Sequence, residues 1–209
     1  MGVFANDRDL LVFAPNVFRD ASWLAARLYK GVAGFSGNFM TAPSDVNLGT
    51  LGVASGGVVV TGATTYEISG APIGNRIVVS RLRGSIKEPI LPPTAISGAE
   101  VTIPTFRAQI ASVESALMRW LGVTEISSAS FKVMNPEALR DVAVLRTLLM
   151  VYGALGESGA KNEFERERFA VLKHMERSAV RSCVVSIDTD NDGHADELRS
   201  LAMMQMVRG

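Results

Sequence analysis

The sequence predicts a mainly α (α+β) protein, a helical bundle of about four helices with an inserted small antiparallel β module. Apolar residues recur at the helical period near the N-terminus and again from Thr105 onward. Between them, residues 31–75 hold only two charges and ten of the nineteen glycines, interspersed with Val, Thr, Tyr and Ile, a composition that favours turns and extended chain over helix. A chain of 209 residues can bury about 70% of its unfolded surface in one core. A single domain over 1–209 is therefore expected, with the β-rich insertion at about 45–98.

The first helix is placed at 16–31. Val17, Ala21, Leu24 and Leu28 form one apolar stripe, Asn16 can cap the free amides, and Gly31 can close the helix in a left-handed conformation. In the β module, GVVVTG, TTYEIS and NRIVVSRL read as three short strands, with Gly62-Ala63 and SGAPIGN as their turns. So few strands are marginal alone and must pack on the helices or on another subunit. Residues 84–98, with Pro89, Pro92 and Pro93, read as an extended linker.

The helical period returns with Phe106, Ile110, Val113, Leu117 and Trp120/Leu121, and Gly122 is the expected stop of a helix over 105–122. Asn135-Pro136-Glu137 is a start signal for a helix over 136–155 that is apolar nearly all round from Val142 onward. Such a helix is central in its own domain or shared with a neighbour; Val142, Leu145, Leu148, Leu149 and Val151 form the girdle in question. A fourth, highly charged helix is expected at about 160–182, with Phe164, Val171 and Met175 as its packed stripe.

The sharpest local motif is DTDNDGHADELR. Asp188, Asp190 and Asp192 occupy positions 1, 3 and 5 of a calcium-loop pattern, Gly193 the turn position, His194 a carbonyl position and Asp196 a water-mediated one. Arg199 stands where an EF-hand has its bidentate Glu, and Glu197 comes two places early. The competing reading is a solvated Asx/Gly turn. No cofactor is required, and Ca2+ is the ion this loop would take.

Other chemistry finds little footing. The formal charge is zero, which argues against a surface built to grip phosphate backbones. The single Cys183 excludes an intramolecular disulfide and a Cys-rich zinc site, and it sits among Val184, Val185 and Ile187 as a packed residue would. His174 reads as an exposed position of the charged helix. No nucleophile elbow, phosphate-cradling glycine loop or zinc helix is found, so a non-enzymatic role is expected. The acidic N-terminal segment is unlike a secretory signal, and the uncharged stretch from Asp45 to Glu67 is too rich in Gly, Thr, Ser and Asn for a membrane helix. A soluble, intracellular protein is expected.

Taken in order, NDRDLLVFAPNVFRDASWLAARL, the Gly-rich β module ending in VVSRLR, TFRAQIASVESALMRWLGV, the helix after NPEALRD and the terminal IDTDNDG stretch cover nearly the full chain. That order resembles the head-to-tail connector (adaptor) proteins of tailed bacteriophages and gene-transfer-agent-like particles. The resemblance implies a small helical bundle that forms a ring, usually of twelve copies, under the portal vertex. It further implies contact with copies of itself, the portal protein and the next neck or tail protein, with DNA passing through the channel without sequence recognition. The virion neck, assembled in the host cytoplasm, would be its location. The resemblance also implies that a terminal segment, about 187–209, grips the portal; Leu198, Leu201, Met203, Met204, Met206 and Val207 would supply its apolar contacts, unordered until docked. A stopper or tail-terminator protein, and a cellular calcium-binding interaction module, are the alternatives.

Overall fold

The computed structural model describes residues 4–122, 132–157, 163–190 and 192–202. The chain divides into two compact units, one formed by residues 6–107 and the other by 1–5 with 108–209.

The first unit corrects the expected fold class. It is a closed, wholly antiparallel six-stranded β-barrel rather than a small insert in a helical bundle. Its strands are β1 (Ala26–Ser36), β2 (Phe39–Thr41), β3 (Val58–Thr61), β4 (Thr64–Ile68), β5 (Arg76–Arg81) and β6 (Ile96–Thr105), arranged β1-β2-β5-β4-β3-β6 around the barrel. The three strands read from the sequence are β3, β4 and β5. Gly62, in the left-handed region, sits in the two-residue turn between β3 and β4, where Thr61 faces Thr64. Closure depends on β1 and β6, whose long ladder runs from Ala26–Thr105 to Phe35–Ile96. Alternate residues of these strands, Tyr29, Ala33, Phe35, Val101 and Ile103 among them, fill the interior with Met40, Tyr66, Ile68, Ile77 and Val79.

The helix expected at 16–31 is not formed. Two short helices, α1 (Asp7–Phe13) and α2 (Val17–Asp20), precede β1, and only Val17 and Ala21 of the expected stripe are buried as proposed. Asn16 makes no side-chain cap; its Oδ1 accepts from Arg19 instead. Gly31 is not a helix stop but a mid-strand residue facing Val101. A Cβ there would meet Tyr29 Oη at 2.5 Å, so glycine gives the tyrosine ring its room. The long-range pairing of β1 with β6 overrides the helix preference of SWLAARL. The linker likewise ends early: 84–95 is irregular, and β6 starts at Ile96.

Polar anchors fix α1 to the barrel's own chain. Asn6 and Asp9 form a reciprocal capping box. The buried Asp7 carboxylate accepts from Thr105 Oγ1 at 2.6 Å and from the Phe106 amide at 2.8 Å. Buried Glu67 on β4 pairs with Arg8 at 2.5 Å and with Arg83. The remaining donors of these arginines reach backbone carbonyls of Arg83 and Glu88 and the Ser69 hydroxyl.

The second unit holds three long helices near the positions expected from the sequence: α3 (Arg107–Trp120), α4 (Glu137–Glu157) and α5 (Glu163–Ser182). Gly122, with φ 72°, closes α3. The amides of Phe4 and Ala5 donate to Glu114 of α3 at 2.7 and 3.0 Å. Helices α4 and α5 run antiparallel, as Arg146–Glu176 and the Arg168 guanidinium over the Tyr152 ring show. The girdle of α4 is core: Val142, Leu145, Leu148 and Val151 are buried and Leu149 is half-buried. On α5 the inward residues are Leu172 and Val180, whereas Val171 and Met175 face outward, 52% and 38% exposed. The expected stripe therefore lies on the wrong side for Val171 and Met175; the side chain of Phe164 falls outside the described residues.

A three-stranded antiparallel sheet, β7 (Lys132–Val133), β8 (Val184–Asp188) and β9 (Glu197–Ser200), completes this unit in the order β7-β8-β9. Asn135 serves it rather than capping α4: its Oδ1 accepts from the Ser186 amide at 2.7 Å and its Nδ2 donates to Val184 O. No helix among the described residues is long and apolar enough to cross a membrane.

Candidate functional site

The Asp-rich motif is the turn of the β8–β9 hairpin, so residues 197–200, expected to be unordered, form a paired strand, while 203–209 lie outside the described residues. Ile187 faces Glu197, the pair of the ladder that lies next to the Asp-rich segment. Asp188, fully buried at the end of β8, accepts from the Gly193 amide at 2.9 Å. Gly193 has φ 91°, a conformation that favours glycine and lets the chain fold back onto Asp188. Asp190 Oδ1 accepts from the Asp192 amide at 3.2 Å, and Asp192 Oδ1 from the His194 amide at 2.7 Å. Asp196 accepts from both the amide and the hydroxyl of Thr189, at 2.8 and 2.7 Å. Those two bonds hold the Asp196 carboxyl below its usual range.

Three of the expected ligands converge. Asp188, Asp190 and Asp196 each present a carboxylate oxygen within 4.8 Å of the others. Asp192 and His194 are not in this group. Glu197 is not recruited: it pairs with Arg199 at 2.7 Å, which holds its carboxyl below the usual range. Arg199, at the position of an EF-hand's bidentate acid, donates to the Leu121 carbonyl. Three hard oxygens suit a divalent cation whose remaining positions are filled by water.

The proposed contact residues separate. Leu198 is 70% exposed on β9, but Leu201 is fully buried and its amide donates to Cys183 O. Met203, Met204, Met206 and Val207 lie outside the described residues. Cys183 is buried, which pushes its thiol up, and its Sγ donates to Ala138 O at 3.2 Å. It is a packing residue, as its neighbours suggest. His174 is exposed on α5.

One cluster escaped the sequence reading: Arg19, Arg27 and Lys30 line a concavity on the barrel unit. A single helix over 16–31 would not bring these residues together; the pairing of β1 with β6 does.

No protein-family model matches the chain, and no curated protein or solved structure matches it significantly.

Proposed function

We propose that the chain is a non-enzymatic structural subunit of the neck of a tailed-phage or gene-transfer-agent-like particle, a ring-forming connector placed between portal and tail. The order of sequence segments that resembles such connectors is one support, although the barrel departs from the helical bundle the resemblance implies. The observation that carries the reading is the outward face of α5. Val171 and Met175 stand one turn apart on the exposed face of α5, 52% and 38% exposed. Adjacent exposed apolar residues on one helix face suit a repeated subunit contact of the heterologous kind that closes a ring. In the barrel unit, Ile73 and Ile86 are exposed at loops, where they are available to a further neck component.

In this reading the C-terminal part, with exposed Leu198, contributes to portal attachment, and the carboxylates of Asp188, Asp190 and Asp196 hold Ca2+ as a staple of the hairpin. The test is genetic. Particles made without this protein should package DNA but lose it or fail to join tails, and removal of residues 203–209 should weaken attachment to the portal. Normal, tailed, DNA-filled particles in its absence would refute the proposal.

A further inference from the structure

A cavity of about 280 Å³ opens on the outside of the barrel, between α2 and the β1–β6–β3 surface. Its composition follows from an irregularity in the β1–β6 ladder. Arg27 and Lys30 are three residues apart, and in a regular strand an odd spacing sends two side chains to opposite faces. Here the register slips: Arg27 faces Pro104, Tyr29 faces Ile103 and Lys30 faces Thr102. Positions 104 and 102 share one face of β6, so the extra residue, Leu28, brings both cations to the same side. Tyr29 and Ile103 turn into the barrel, where both are buried. Bulges of this kind re-aim side chains and are common beside binding sites.

Arg19 of α2 adds a third cation to the same cavity, and no carboxylate is among the residues lining it. Arg19 donates to Ala63 O and Asn16 Oδ1, both neutral acceptors, and makes no ion pair with a described residue. Arg27 is exposed and makes no ion pair with a described residue. Lys30 reaches Glu100 at 3.2 Å, but both side chains are more than half exposed, and such a pair exchanges easily for a better anion. Phe18, packed against Phe106 at 5.1 Å, and Pro104 supply apolar wall, and Thr102 a hydroxyl. The volume lies just below the range of drug-sized ligand sites, about 300 Å³ and upward.

We propose that this cavity binds the phosphate group of a small ligand of nucleotide size. The two guanidinium groups and the ammonium group would share the phosphate oxygens, with Thr102 as a further donor and the Phe18–Pro104 wall receiving the flat, less polar part of the ligand. A neutral chain with three clustered cations suits one phosphate rather than a long phosphate track. The site belongs to the barrel unit alone and does not depend on ring formation.

Titration calorimetry of the full chain at low salt with adenosine monophosphate, adenosine and a short oligothymidylate tests it. The monophosphate should bind saturably at one site per chain, and adenosine at least about tenfold more weakly. Arg27→Glu, at an exposed residue without an ion-pair partner, should reduce monophosphate affinity by about tenfold or more, Arg27→Lys by less, with unchanged circular dichroism in both. Equal affinity for adenosine, indifference to both Arg27→Glu and Lys30→Glu, or absence of saturable binding would overturn the proposal. Oligothymidylate affinity that exceeds the monophosphate's and grows with length would overturn it in favour of an extended nucleic-acid track.

Discussion

Arg8 Nε donates to Glu67 Oε2 at 2.5 Å with both side chains buried, joining the first helix of the chain to the fourth strand of the barrel across 59 residues. Glu67 also takes Arg83, so one buried carboxylate is shared by two buried guanidinium groups, and Arg8 has the buried Asp9 at 3.9 Å as a second partner. Glu67→Ala would leave Arg83 buried without an ion-pair partner among the described residues and Arg8 with only the longer pair to Asp9, and should cost about 3–5 kcal/mol in urea unfolding, far more than the loss of an exposed ion pair. Loss of under about 1 kcal/mol would show that the two arginines find other partners or water.

Asp7 should give the protein an unusual pH response. Burial pushes its carboxyl up to about 6, against the lowering effect of bonds from Thr105 and Phe106 and of the Arg107 charge. Because the folded value lies above the ordinary 3.8, protonation favours the folded chain. The contribution of Asp7 therefore grows as pH falls from about 7 through 6 and is complete below about 4, to at most ~3 kcal/mol. Asp7→Asn should flatten this part of the stability–pH curve. A wild-type curve that only falls on acidification, and is parallel to that of the variant, would contradict the assignment.

The outward stripe of α5 separates stability from assembly. Val171→Asp with Met175→Glu changes two exposed positions and should shift unfolding by no more than about 0.5 kcal/mol per site. The pair should nevertheless abolish self-association in analytical ultracentrifugation. Unchanged self-association would remove this stripe from the subunit contact.

Calcium should raise the melting temperature of the chain, and Asp190→Asn, on the exposed side of the three-carboxylate group, should remove that gain while leaving the metal-free melting temperature within a degree or so. Equal melting temperatures with calcium and with chelator would leave the loop as a turn held by its own Asx bonds.

Local signals made the second unit readable. Periodicity marks α3 and the 135–137 start signal marks α4, whereas α5 is legible as a charged helix although its Val171–Met175 stripe faces outward; the Gly122 stop and the 135–137 start lie at real helix ends. The barrel was legible only in its consecutive β3–β4–β5 meander, where neighbours in sequence are neighbours in space. Its closing strands pair Ala26 with Thr105, a contact that no local pattern announces. The Ala- and Leu-containing start of β1 imitates a helix, and Gly98 and Pro104 disguise β6. The loop carboxylates were legible as a group, but the loss of Glu197 to Arg199 was not, since alternation along β9 sends those two side chains to one face.

The mass of the assembled protein tests the connector reading most directly. Measured by mass photometry alone and after mixing with the portal protein of the same particle, the chain should appear as one closed ring, of about twelve subunits if the resemblance holds, bound to the portal with matching symmetry. A chain that stays monomeric at every concentration and leaves the mass of the portal unchanged would contradict it.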